Sequence, residues 1–233
     1  PKAPHSPRLA QLAVEQGKEV MLHNPMSNTR DLPLDPGGLT DTMDKAGFLA
    51  TLADNFERIP EARGLNNHMG SLLTQQATPM GWLMEFLSAR GAYFVDSRTT
   101  AASRAWETAQ RYHVPSLPRD VFLDHDRDPE QILRQLQSAV KLAQTRGYAV
   151  AIGHPYPETL SALEQLPGLL SAAQVELIPV SDLLAQVSHS LPRMSAGRCA
   201  APPSTLQLRL RAPAQKVHVR LPQLDALKLD KPI

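Results

Sequence analysis

Short apolar runs alternate with amphipathic stretches along most of this chain, and nearly every apolar run stops at a polar, chemically capable residue. That alternation admits few folds. Repeated strand–helix units predict a parallel sheet or barrel with its helices on the outside. In such folds ligands gather at the carboxyl ends of the strands. Here the expected strand ends carry His23, Asn67 with His68, Asp96 with Ser97 and Arg98, Asp124 with His125, and His154. Each group alone is unspecific; their placement on one rim is what points to a site.

The expected elements follow from local signals. Ser6 caps a first helix with Pro7 at its first position, Leu9, Leu12 and Ala13 give it an apolar face, and Gly17 stops it. Residues 19–23 read as a buried strand ending in His23, followed by a long loop over 24–39. A helix over 42–59 places Phe48, Leu52, Phe56 and Ile59 on one face. Next comes a short strand that stops in the polar turn Asn66-Asn67-His68-Met69-Gly70-Ser71. Thr78-Pro79 opens a third helix closed by Gly91, and residues 92–95 form a strand. A helix over 101–112 and an extended stretch over 114–123, broken by Pro115 and Pro118, come next. Asp128-Pro129 starts a long helix to Arg146, with Leu136, Val140 and Ala143 facing inward. Residues 148–152 read as a strand, 157–166 as a helix, 175–179 as a last strand, and Ser181 caps a final helix.

Beyond residue 188 the character changes. Residues 190–205 are rich in proline, serine, alanine and glycine, like a linker, and residues 206–211 and 216–221 alternate at period two. The expected division is therefore a domain over 1–188 and a linker with a basic tail over 189–233, β-like or disordered, with His218 on a solvated face.

Composition excludes several classes. The 233 residues are 42% hydrophobic, enough for a buried core. A formal charge of +1 at pH 7 gives no bulk electrostatic case for nucleic acid. No apolar run is long enough to span a bilayer. The single cysteine, Cys199, excludes an internal disulfide and a cysteine-rich zinc module, and its place in the linker argues against a nucleophile. Phosphate loop, nucleophile-elbow, dinucleotide and His-Glu-x-x-His signatures are all missing.

Three histidines, His23, His68 and His154, stand at different strand ends. Neutral imidazole is a common zinc ligand, and catalytic zinc often takes three protein ligands and a water. Each histidine taken singly also suits a plain strand cap. Asn66 and Asn67 could orient an imidazole or bind a substrate hydroxyl. Asp96, Asp120 and Asp124 are candidate bases or carboxylates that orient a histidine. Arg98 and Arg119 could hold an anionic group, or form surface ion pairs of little worth.

The segments Leu22-His23-Asn24-Pro25-Met26, Asn66-Asn67-His68-Met69-Gly70-Ser71, Asp96-Ser97-Arg98-Thr99, Arg119-Asp120-Val121-Phe122-Leu123-Asp124 and Gly153-His154-Pro155 occur in this order. Together they resemble the divergent polysaccharide deacetylase family over about residues 2–184, the Asn-Asn-His-Met-Gly-Ser run being the most specific part. The resemblance implies a distorted (β/α) barrel, a divalent metal, most often zinc, and hydrolysis of N-acetyl groups on an envelope glycan by metal-assisted amide cleavage. It implies a periplasmic place and an envelope glycan or protein as partner. On this reading His23 and His68 hold the metal, and His154 is a ligand or the general acid. Asp120 and Asp124 orient histidines or act in catalysis, and Asn67, Arg119, Asp96, Ser97 and Arg98 meet substrate.

Two departures matter. The wider superfamily carries His-x-x-x-His, whereas Leu72 stands four residues after His68. Its Asp-Asp pair is absent, so the resemblance places the first strand or strands upstream of Pro1, and the chain by itself is expected to lack turnover. The rival expectations are a glycan- or protein-binding envelope module without catalysis and, less favoured, a phosphoester hydrolase.

Overall fold

The computed structural model describes residues 1–190. The expected linker and basic tail, with Cys199, His218 and the strands expected at 206–211 and 216–221, lie outside the described residues. The described part is α/β with parallel strands and intervening helices, as the alternation predicts. Its helices are α1 (Ser6–Glu15), α2 (Lys45–Arg58), α3 (Ala77–Arg90), α4 (Ala105–Arg111), α5 (Pro129–Arg146), α6 (Pro157–Leu163), α7 (Leu166–Ala173) and α8 (Val180–Ser190). Its strands are β1 (Leu22–Met26), β2 (Gly64–Met69), β3 (Tyr93–Asp96), β4 (Ser116–Pro118), β5 (Val121–Phe122) and β6 (Ala151–Ile152). One sheet has the order β1-β2-β3-β4 and a second pairs β5 with β6, every pairing parallel.

Helix ends follow the cap chemistry. Asp44 accepts from the Gly47 N–H at 2.8 Å and Asp128 from the Gln131 N–H at 2.9 Å. Gly91 and Gly147 end α3 and α5 in the left-handed conformation that glycine adopts without a Cβ clash.

Side chains alternate across each strand, and this sets the two faces of the sheet. Leu22, Met26, Leu65 and Phe94 face outward into a core formed with α2 and α3, where Phe48, Leu52, Phe56, Leu83 and Leu87 are fully buried. Tyr93, Val95 and Leu117 face inward with Met21, Val150, Ile152, Leu183 and Leu184. A third cluster seats β5 on α5 through Val121, Leu123, Ile132 and Leu136. The inner side of both sheets is therefore where a site can open.

Several expectations need correcting. Ser6 is the first helical residue rather than the cap, and His5 stands at that position with no side-chain bond. Helix α1 buries only Ala10, while Leu9 and Leu12 stay exposed. Strand β1 runs through His23 to Met26 instead of stopping at the histidine. Residues 101–104 form turns before α4, and the helix expected over 157–166 splits into α6 and α7. Residues 175–179 find no strand partner among the described residues, and Leu177 is 73% exposed.

Close packing at the inner face makes one position intolerant. Gly64 lies opposite Tyr93, and a Cβ built on it would meet the Tyr93 ring at 2.3 Å. The ring is held at its far end, where Tyr93 Oη donates to Glu19 Oε1 at 2.8 Å. Gly64→Ala is therefore expected to destabilise the fold by about 1–3 kcal/mol, read as a lower urea midpoint. An unchanged midpoint would show that the ring is free to move.

Candidate functional site

The parity of β1 and β2 assembles the site. His23 pairs in register with Asn66, and Pro25 with His68. His23, Asn66 and His68 thus share the inner face, two residues apart along β2. His23 Nε2 lies 3.0 Å from His68 Nδ1, and the rings meet edge to face with centroids 4.8 Å apart. His23 Nδ1 lies 2.7 Å from Asn66 Oδ1. His154, beyond the end of β6, faces the same cavity of about 540 Å³, with Phe122, Val95 and Thr99 in its walls.

His23 is exposed toward this cavity, with protein packed around the rest of the ring. Burial, with His68 as a neighbouring cation, pushes its pKa down to about 4, against the smaller opposing effect of the Asn66 bond. Burial also lowers the pKa of His68, opposed by Asp35 and assisted by His154. Both rings are therefore neutral near pH 7, the state a metal ligand needs.

The other half of the site comes from β5 and β6. Asp124 follows β5 with its side chain fully buried, and Oδ1 lies 2.9 Å from His154 Nδ1. Oδ2 accepts the His154 backbone N–H and, at 2.8 Å, the Thr159 hydroxyl. Burial alone would raise the Asp124 pKa; the bonds from His154 and Thr159 outweigh it and hold the carboxyl below the ordinary carboxylate range. An ionised Asp124 accepts from Nδ1–H, which leaves Nε2 as the His154 nitrogen free to exchange a proton. The His154 ring sits between Phe122 and Tyr156, with centroids 5.5 Å and 5.2 Å away.

Of the other expected site residues, Asn67 and Ser97 also line the cavity, whereas Asp96, Arg98, Arg119 and Asp120 do not. Asn67 has the opposite parity to Asn66 and is 1% exposed. Its Oδ1 accepts the Ser97 N–H at 2.9 Å and its Nδ2 donates to the Met69 carbonyl at 2.9 Å, so its amide braces the frame while the residue borders the cavity. Asp96 also faces outward, accepting from the Arg98 N–H at 2.8 Å and the Ser103 hydroxyl at 2.8 Å, which organises the turns before α4. Ser97 donates to the Asn67 carbonyl and accepts from Asn66 Nδ2. Asp120 precedes β5, at the end of the strand remote from Asp124. It is paired there with Arg146 and accepts the Val150 N–H at 2.8 Å, so a catalytic place for Asp120 does not fit.

Arg119 donates to the Ser97 carbonyl at 2.6 Å and the Arg98 carbonyl at 3.1 Å, and stacks over Phe122 at 5.1 Å. Burial lowers its pKa, with Arg98 adding to the effect. Arg98 is exposed, with a left-handed φ of 46°, beside the cavity-lining Thr99. Both arginines thus border the site without lining the cavity. Thr159 is the contact with the Asp124 carboxylate that the sequence reading left unassigned, while Asn66, one of the amides expected to orient an imidazole, meets His23. Strand parity, which puts Asn66 and His68 on one face, was the signal for Asn66.

Among the described residues no cluster of three or more histidine, cysteine, aspartate or glutamate side chains is arranged to hold an ion. The His23–His68 pair could fill two places of such a set. Tetrahedral zinc with nitrogens at about 2.0–2.1 Å separates them by about 3.3 Å, close to the 3.0 Å between His23 Nε2 and His68 Nδ1.

Comparisons with known proteins bear on the family and the fold. The profile of the divergent polysaccharide deacetylase family matches residues 1–184. The protein YibQ of Escherichia coli (strain K12) is 34% identical over 198 residues, covering 84% of this chain and 62% of its own length. A Haemophilus influenzae protein is 35% identical over 164 residues, covering 70% of this chain and 59% of its own. The chain thus spans about three-fifths of the length of these relatives. The crystal structure of protein ATU2773 from Agrobacterium tumefaciens C58 shares the fold, with a TM-score of 0.74 at 22% identity, over 78% of this chain and 75% of that one.

Proposed function

Since the chain belongs to the divergent polysaccharide deacetylase family, we propose that it forms the catalytic centre of a metal-dependent hydrolase removing N-acetyl groups from a glycan of the bacterial envelope. The observation that carries this reading is the convergence of two units on one cavity: the His23–His68 pair and the Asp124–His154 dyad.

His23 and His68 would hold the metal through neutral imidazole nitrogens. When bound, a divalent ion supplies Lewis acidity to a carbonyl and a more acidic water. The protein's own groups do the rest. Asp124 fixes the His154 ring through Nδ1 and stabilises its cationic form. His154 Nε2 then delivers a proton to the leaving amine, which cannot depart as an anion. Val95, Phe122 and Ile152 give the cavity an apolar wall against which the substrate would lie.

The rival reading, a glycan-binding module without turnover, is favoured by one observation: the described residues supply two ligands and no third. One assay separates the two. Acetate release from an N-acetylated glycan oligomer, measured on the protein at its natural length, is expected to vanish on treatment with a chelator and to return with added zinc. Glycan binding without acetate release in the zinc-loaded protein would establish the binding module instead.

A further inference from the structure

We infer that Asn66 is a positioning residue that locks His23 in the Nδ1–H tautomer and so aims the Nε2 lone pair at His68 and the cavity. The inference deepens the metal-ligand reading of His23 and rests on it for its purpose, though the lock itself is a property of the protein alone.

The argument is a chain of donors and acceptors with one solution. Asn66 is 4% exposed. Its Nδ2 donates to the Val95 carbonyl at 2.8 Å and to Ser97 Oγ at 2.7 Å. A backbone carbonyl only accepts, so the amide cannot be flipped without setting Oδ1 against the Val95 oxygen. Ser97 Oγ already gives its proton to the Asn67 carbonyl at 2.8 Å, so toward Asn66 it too acts as an acceptor. Both partners therefore require the amide nitrogen on their side, which turns Oδ1 toward His23.

Oδ1 can only accept, and His23 Nδ1 lies 2.7 Å from it. Nδ1 must carry the hydrogen. In the neutral ring Nε2 is then bare, pointed at His68 Nδ1 at 3.0 Å. The backbone of β3 thereby dictates, through one amide, which nitrogen of His23 is available. Free imidazole side chains prefer the other tautomer, with the hydrogen on Nε2, so the lock opposes the default. A carboxylate or carbonyl behind a metal-bound histidine does the same orienting work; here a side-chain amide does it.

The test is imidazole ¹⁵N NMR on the metal-free 233-residue chain near pH 7.5, followed by zinc titration. Wild-type His23 is expected to show the Nδ1–H pattern. Asn66→Ala is expected to shift it toward Nε2–H and to weaken zinc binding by about 10–100-fold. Asn66→Asp keeps an acceptor facing Nδ1 and is expected to restore the Nδ1–H pattern, which a purely structural role for the amide would not produce. Nε2–H on wild-type His23 overturns the inference whether or not the variants fold, as does an Asn66→Ala chain that keeps both the Nδ1–H pattern and wild-type zinc affinity. A wild-type ring with Nδ1–H that takes up no zinc overturns the metal-ligand reading above while supporting the lock.

Discussion

His68→Ala is expected to lower zinc affinity by at least about a hundredfold and glycan deacetylation by about a thousandfold or more. The first figure follows from geometry. His23 Nε2 and His68 Nδ1 stand 3.0 Å apart, within reach of one ion, so removing one ring leaves a single imidazole, which binds an ion weakly. The second follows from the size of the contribution lost: a metal contributes several kcal/mol to transition-state charge stabilisation, and each 1.36 kcal/mol is tenfold in rate. Folding should be little affected, because His68 is only half-buried and its ring contacts His23 rather than the apolar core. His23→Ala should match it. The double variant should be no worse than either single one, since residues that act as a unit are strongly non-additive. Zinc stoichiometry and acetate release, with a urea midpoint as the fold control, make the measurement. Unchanged stoichiometry in His68→Ala, or additive losses in the double variant, would remove the pair from the metal site.

The frame was readable because its punctuation is chemical. Asp44 and Asp128 each sit one residue before a helix, and Gly91 and Gly147 one residue after. Strand limits were less readable. Asn24-Pro25 looks like the start of a loop, yet Pro25 lies inside β1. β1 is the edge strand, hydrogen-bonded as a strand to β2 alone, so a residue without an N–H is tolerated there. Residues 175–179 carry a strand-like pattern but no partner among the described residues, and pattern alone does not create one.

At the site, the letters alone do not say which way each side chain turns. Asn66 and Asn67 are equivalent as letters; both border the cavity, but parity turns the Asn66 amide to His23 and the Asn67 amide to Ser97. Asp120 and Asp124 both end a promising stretch, but a break at residues 119–120 starts a new strand. That puts Asp120 at the entry of β5, against Arg146, and Asp124 at its exit. The Asp124–His154 contact joins residues 30 apart in sequence and depends on β5 pairing with β6. Nothing short of the pairing register reveals it.

Asp124→Asn is the sharper test of the chemistry, because it exchanges one oxygen for an NH₂ group and leaves the shape. The carboxylate accepts from three donors: the His154 N–H, His154 Nδ1–H and the Thr159 hydroxyl. An amide has one oxygen and must turn its NH₂ toward one side. Facing the backbone N–H it would meet a donor that cannot adapt. Facing the imidazole it meets a ring that can change tautomer. Asparagine therefore settles with its NH₂ toward His154 Nδ1, which becomes the acceptor, and Nε2 takes the hydrogen in the neutral ring. The cationic ring also loses its counter-charge, so proton delivery to the leaving amine fails on both counts. General acid catalysis contributes about 10²–10⁴-fold, and a fall in kcat of that size with little change in KM is expected. The same substitution carries a stability signature with a definite sign. The Asp124 carboxyl is held below its ordinary value in the folded state. Its contribution is therefore complete above the unfolded carboxylate pKa of about 3.9 and is lost as pH falls through the lower folded value. The wild-type urea midpoint should drop across that acid window more steeply than that of Asp124→Asn, which has no proton to take up there. A variant with kcat within about threefold of wild type, or with an identical acid limb, would leave His154 without the partner on which its role depends.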